Sequence, residues 1–66
     1  MEEATYNIVR QGETWAIEHD GQREGDYATK EAAFEAAAAA ASNAIKEGFG
    51  VTIKVPHRAP GESALG

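Results

Sequence analysis

Thr29-Lys30-Glu31-Ala32-Ala33-Phe34-Glu35, the unbroken tract Ala36 to Ala41, and Ser42-Asn43-Ala44-Ile45-Lys46-Glu47-Gly48 decide the fold of this chain. Alanine has the highest intrinsic helix propensity because its side chain loses no rotamer freedom, so the stretch predicts one long helix. Thr29 is placed to cap it, with a hydroxyl that accepts from a backbone N–H of the first turn. Glu31 sets a negative charge near the positive helix end. Lys46 complements the other terminus, and Gly48 suits the left-handed residue that commonly closes a helix. A rod of methyl groups buries little, so the grip must come from its neighbours.

Upstream, Tyr6-Asn7-Ile8-Val9-Arg10 is rich in β-formers and runs into the short connection Gln11-Gly12-Glu13, which predicts a hairpin. Its second arm, Thr14 to His19, puts Trp15, Ile17 and His19 on one face and Ala16 and Glu18 on the other. From Gly21 to Tyr27 the residues are polar, without periodicity, with Gly25-Asp26 as a turn, and read as a surface loop. Downstream, Val51-Thr52-Ile53-Lys54-Val55 alternates strictly and predicts the third strand, which Pro56 ends. A single domain is expected over 1–55, with a flexible C-terminal tail over 56–66.

Phe34, Ala37, Ala38, Ala41 and Ile45 form a helical stripe expected to face the sheet. Ala33, Ala36, Ala40 and Ala44 make an opposite flank of methyl groups, small enough for another helix to approach closely. A right-handed crossover through the helix favours the last strand beside the first and antiparallel to it. The expected architecture is α+β: a three-stranded antiparallel sheet in order 2-1-3, topology ββαβ, with the helix on one face. A helix of roughly 28 Å should overhang strands of about 17 Å, and the second sheet face is left to water or a partner.

Size and charge narrow the function classes. Sixty-six residues without a cysteine offer one small core, no disulfide framework and no thiolate metal site. Eleven acidic against six basic side chains give a net charge of −5, which repels phosphate backbones and anionic membranes. The alanine tract is too short and too weakly apolar to span a bilayer, and the acidic Met1-Glu2-Glu3 start is unlike a secretory signal. A cytoplasmic location is expected.

Nothing in the chain identifies a reaction. His19 and His57 are the candidates for acid–base work near neutral pH, with Glu18, Asp20 and Glu62 the nearest acids. Glu18 and His19 point to opposite faces of one strand, and no His-x-x-x-His or Glu-x-x-His spacing exists for a metal. No glycine opens the helix after a strand with phosphate-binding spacing. No catalytic residue, cofactor or metal is therefore expected. Trp15 has two readings. It packs against the helix with Ile17, Phe34 and Ile45, or it lies exposed as a base-stacking platform with Arg10, Lys54 and Arg58 as phosphate contacts.

Tyr6-Asn7-Ile8-Val9, then Trp15-Ala16-Ile17, then Thr29-Lys30-Glu31-Ala32 opening an alanine-rich helix, then Val51-Thr52-Ile53, resembles the bacterial domain of unknown function numbered 2188. The resemblance covers Tyr6 to Val55. Thr14 stands where that family often has glycine, and the Pro-containing tail departs from its usual Asp-Gly-bearing ending. It implies a ββαβ fold and no established activity. The leading expectation is a small non-enzymatic protein-interaction module that self-associates, with Arg10, Trp15, Lys54, Ala33, Ala36, Ala40 and Ala44 as the candidate surface. The alternatives are a nucleic-acid-binding module using an exposed sheet face and an accessory factor of an enzyme.

Overall fold

The computed structural model describes residues 2–57, in which four strands and one helix follow in the order ββ β α β. They are β1 (Glu3–Gln11), β2 (Thr14–His19), β3 (Gln22–Tyr27), α1 (Lys30–Lys46) and β4 (Gly50–Lys54). The protein is α+β as expected. The sheet, however, is four-stranded and mixed, in the order β3-β2-β1-β4. The segment read as a loop is β3, so the three-stranded antiparallel sheet and the ββαβ topology are both corrected.

That extra strand also reverses the sense of the last pairing. β1, β2 and β3 form an antiparallel meander, so β3 runs parallel to β1. A helical crossover returns the chain in the direction of the strand it left, and β4 therefore pairs with β1 in parallel. With β2 as the last strand before the helix, the same rule would have made it antiparallel.

Both tight turns follow from glycine. Gln11 pairs with Thr14 across Gly12-Glu13, and Gly12 carries the positive φ of 63° that a two-residue hairpin needs at its first position. His19 pairs with Gln22 across Asp20-Gly21, where both residues have positive φ, 53° and 75°. This is the type I′ arrangement, whose twist matches that of the strands it joins. On β3, Gly25 and Asp26 together oppose Ala16, because Trp15 pairs with Tyr27 and Ile17 with Glu24. Gly25 sits in this bulge at φ 91°, and a Cβ there would clash with the Tyr27 ring.

The helix is bounded as its sequence demands. Thr29 Oγ1 accepts from Ala32 N–H at 3.0 Å. Gly48, at φ 92°, closes the other end, with Gly48 N–H donating to Ile45 O and Phe49 N–H to Ala44 O, both at 3.0 Å. That pair of bonds is a Schellman motif. Its 17 residues span about 25 Å. β1, with nine residues, reaches about 30 Å, so the expected overhang applies only to the short strands such as β4.

The core lies between α1 and one sheet face. Ala4, Tyr6 and Ile8 of β1 and Trp15 of β2 are buried against Ala33, Ala37 and Ala41, with Ile17, Tyr27, Ala44, Phe49, Val51 and Ile53 half-buried around them. Trp15, 2 % exposed, is a core residue. The helical stripe needs correction. Phe34 and Ile45 are 41 % and 61 % exposed, and Ala33, assigned to the outer flank, is fully buried. The sheet already contributes an indole, a phenol and an isoleucine to the interface, so the helix must present its smallest face to come within packing distance. Val55, which the alternation of the last strand places on the same side as Val51 and Ile53, is 45 % exposed.

Two outcomes follow from this packing. Gly25→Ala combines a positive φ with a steric clash, and is expected to lower stability by about 1–3 kcal/mol, measured by urea denaturation monitored by circular dichroism. Ala37→Leu is expected to cost a similar ~1–3 kcal/mol by overfilling the interface, whereas Ala40→Lys, on the exposed side, should leave the midpoint unchanged.

Candidate functional site

The two faces and two edges of the sheet differ in kind. On the face away from α1, register places Arg23, Glu18, Asn7 and Lys54 in one row across all four strands. Arg23 Nη2 donates to Glu18 Oε2 at 3.4 Å, with each side chain a little under half exposed. Thr5 pairs with Thr52 in the next row. The apolar members of this face are Val9 and Ala16, which oppose each other, and Ala16 is fully covered. Such alternation of polar and buried residues is that of a sheet with one solvated face.

The edges diverge further. β3 carries Gln22, Arg23, Glu24 and Asp26, every residue before Tyr27 is exposed, and its glycine bulge interrupts the ladder. Charge and a bulge are the usual protection of an edge against pairing with another chain. β4 is the opposite edge. Its helix-facing residues, Val51 and Ile53, are half-buried, and Val55 beyond it is exposed.

Beside β4 lies an apolar groove of about 620 Å³, lined by Ala38, Ala41, Ser42 and Ile45 of α1 and by Val51 and Ile53 of β4, with Lys46 at its mouth. At about 100° per residue Phe34 falls on the same helical meridian as Ala41 and Ile45, which extends this apolar strip along α1. Lys30 Nζ donates to Pro56 O at 3.0 Å and joins the first turn of the helix to the end of β4. The strip therefore runs antiparallel to β4 over its length.

The expected surface residues are dispersed. Arg10 faces the helix side, its guanidinium carbon 5.0 Å from the Trp15 ring centroid and its Nε donating to Gly12 O at 2.9 Å. Lys30 Nζ approaches the same ring at 5.1 Å. These two cations close the exposed end of the indole, so Trp15 presents no stacking platform. Lys54 is exposed on the other sheet face, opposite Asn7, and does not converge with Arg10. Arg58 and Glu62 lie outside the described residues, as does the expected tail from residue 58 on. Of the alanine flank, Ala33 is buried, Ala36 and Ala44 are half-buried and Ala40 is exposed, so no continuous methyl seam is presented to solvent. Trp15 and Ala33 are thus corrected from surface to core.

His19 serves structure. Its ring stacks on Tyr6 with centroids 4.4 Å apart, Nδ1–H donates to Thr5 O at 3.1 Å, and Nε2 lies 3.4 Å from Asp20 Oδ2. Each partner lies on the hairpin next to it. Among the described residues no three His, Cys, Asp or Glu side chains converge, and no helix is long and apolar enough to cross a membrane. Ile45 in the groove, and Phe34 and Val55 near it, are surface residues that hydrophobicity alone sends inward. The signal available was the volume of Trp15, which competes for the same space.

Comparison with protein-family models, with curated proteins and with solved structures finds no match to this chain.

Proposed function

We propose that this chain is a small non-enzymatic protein-docking module that works at the β4 edge and the apolar groove beside it. The observation that carries this reading is the asymmetry of the two sheet edges. β3 is charged and bulged, while β4 carries half-buried Val51 and Ile53, is followed by exposed Val55 and lies next to exposed Ile45. An open strand edge beside an apolar groove suits strand addition, in which main-chain hydrogen bonds hold the partner and alternate side chains enter the groove. Phe34, Ile45 and Val55 are the side chains expected to carry the contact, since large apolar groups dominate interface energetics. A cytoplasmic setting and kinship with domain of unknown function 2188 belong to the same proposal. Their support is the absence of cysteine and the pattern of Tyr6-Asn7-Ile8-Val9 and Trp15-Ala16-Ile17.

The nucleic-acid alternative loses its main support, because Trp15 is covered and Arg10 and Lys54 lie on opposite faces. The test is a photo-crosslinking amino acid placed at Ile45 or, as control, at Asn7 on the polar face. Irradiation in cells is expected to yield protein adducts from position 45 and none from position 7, identified by mass spectrometry. Adducts from position 7 alone would overturn the reading. Salt-sensitive retention of an oligonucleotide that Lys54→Glu abolishes would replace it with the alternative.

A further inference from the structure

We infer that the occupant of the β4 edge is a second copy of this chain, paired β4 to β4 in antiparallel register about Ile53. The inference rests on β4 being the docking edge and names what docks there. Gly50 N–H donates inward to Glu2 O at 3.0 Å. Backbone groups alternate along a strand, so Gly50, Thr52 and Lys54 turn theirs toward β1, while Val51, Ile53 and Val55 turn theirs to the open edge. An antiparallel partner therefore forms its hydrogen-bonded pairs at those three residues.

Symmetry then restricts the register. Helix-facing residues must meet helix-facing residues if both helices cover one side of a continuous eight-stranded sheet, so the two-fold axis passes through a single residue position. Centred on Ile53, Val51 meets Val55 of the second copy and Val55 meets Val51, and all three outward residues are paired. Centred on Thr52, Val55 runs past the strand onto Phe49. The Ile53 register also satisfies the charges. Lys54 faces Thr52 of the other copy, and its diagonal neighbours are that copy's Gly50 on the outer side and Lys54 across the axis. Glu3 Oε2 hangs over Gly50, 3.1 Å from where a Cβ would stand. Each Lys54 ammonium thus meets a Glu3 carboxylate across the seam, twice per dimer, with no like charges directly opposite, and the Glu3 carboxylates draw the two lysines away from each other across the axis.

On the helix side the two α1 segments run antiparallel across the seam. The acidic first turn at Glu31 then lies toward the Lys46 end of the other copy, and the helix dipoles oppose. Phe34 and Ile45, which the core leaves out, reach into the space above the paired strands. This self-complementarity in charge, register and apolar strip favours a second copy over a foreign strand.

The test exploits the lack of native cysteine. The two copies of Ile53 in a hydrogen-bonded antiparallel pair have Cα atoms about 5.5 Å apart, within disulfide range. Single-cysteine variants of the full chain at Thr52, Ile53 and Gly12 are oxidised under mild conditions. Ile53→Cys is expected to form the covalent dimer about tenfold faster than the Gly12→Cys control. In parallel, sedimentation from micromolar to millimolar protein is expected to show the mass doubling, and Val55→Lys, which alters an exposed residue, to restore the monomer with unchanged circular dichroism. A strict monomer over that range, or equal rates at 53 and 12, overturns the inference, and faster crosslinking at Thr52→Cys overturns the register. Protein adducts at position 45 that contain another protein, together with a strict monomer, would sink the second copy and leave the docking reading standing.

Discussion

The contact on which the rest of the structure depends is that of the Trp15 indole with the methyl face of α1. Trp15, Tyr6 and Ile8 bring nearly all the volume of the core from the sheet, and Ala33, Ala37 and Ala41 bring almost none from the helix. Small residues let the helix axis lie close to the strands, where one large ring touches several turns at once. Arg10 and Lys30 then cover the indole from the hairpin and from the helix. The same contact sets the rotation of α1 about its axis. With alanines turned inward, Phe34 and Ile45 are carried roughly a quarter turn toward β4, and this rotation creates the apolar strip.

Polar residues determine where that strip ends. The sheet face away from α1 is a solvated surface of Thr, Asn, Glu, Arg and Lys, and the β3 edge is charged and bulged. These two boundaries are thus unsuited to binding another chain, α1 covers a third, and the fourth is apolar. An edge of this kind on a monomeric protein is usually shortened, charged or covered. β4 is short, and its own lysine points to the solvated face, so the strand itself contributes no charge on its helix side.

Features with a local cause could be read from the sequence. The cap at Thr29 and the closure at Gly48 need only neighbouring backbone, and β4 announces itself by strict alternation. The first hairpin and the burial of Trp15 were also legible, since a small chain has one tryptophan and needs it inside. β3 was not, because an edge strand exposed on both faces has no alternation to show. Asp20-Gly21 carried the information as a type I′ turn, a signal stronger than the polarity that followed it. The helix rotation was illegible for another reason. A wheel ranks residues by hydrophobicity, but which stripe faces inward depends on the volume already present across the interface. The candidate site inherited that error, placing Ala33 outside and Phe34 and Ile45 inside.

Core and edge are also coupled in energy. A helix that contributes only methyl groups leaves a domain of this size near the limit of independent stability. Covering Phe34, Ile45 and Val55 removes apolar area that each monomer exposes, worth roughly 1 kcal/mol per partly exposed side chain at about 25 cal/mol per Å². Six such side chains in a symmetric pair give a sum comparable with the lower end of the roughly 4–15 kcal/mol that association costs in lost freedom. Side-chain burial alone therefore brings the seam close to balance and no further. In the pair inferred above, backbone pairing along β4 and the Lys54 to Glu3 contacts supply the remainder, and both depend on register. An interface poised in this way discriminates by alignment rather than by greasiness, since a strand of equal hydrophobicity in another register forfeits the terms that decide the outcome.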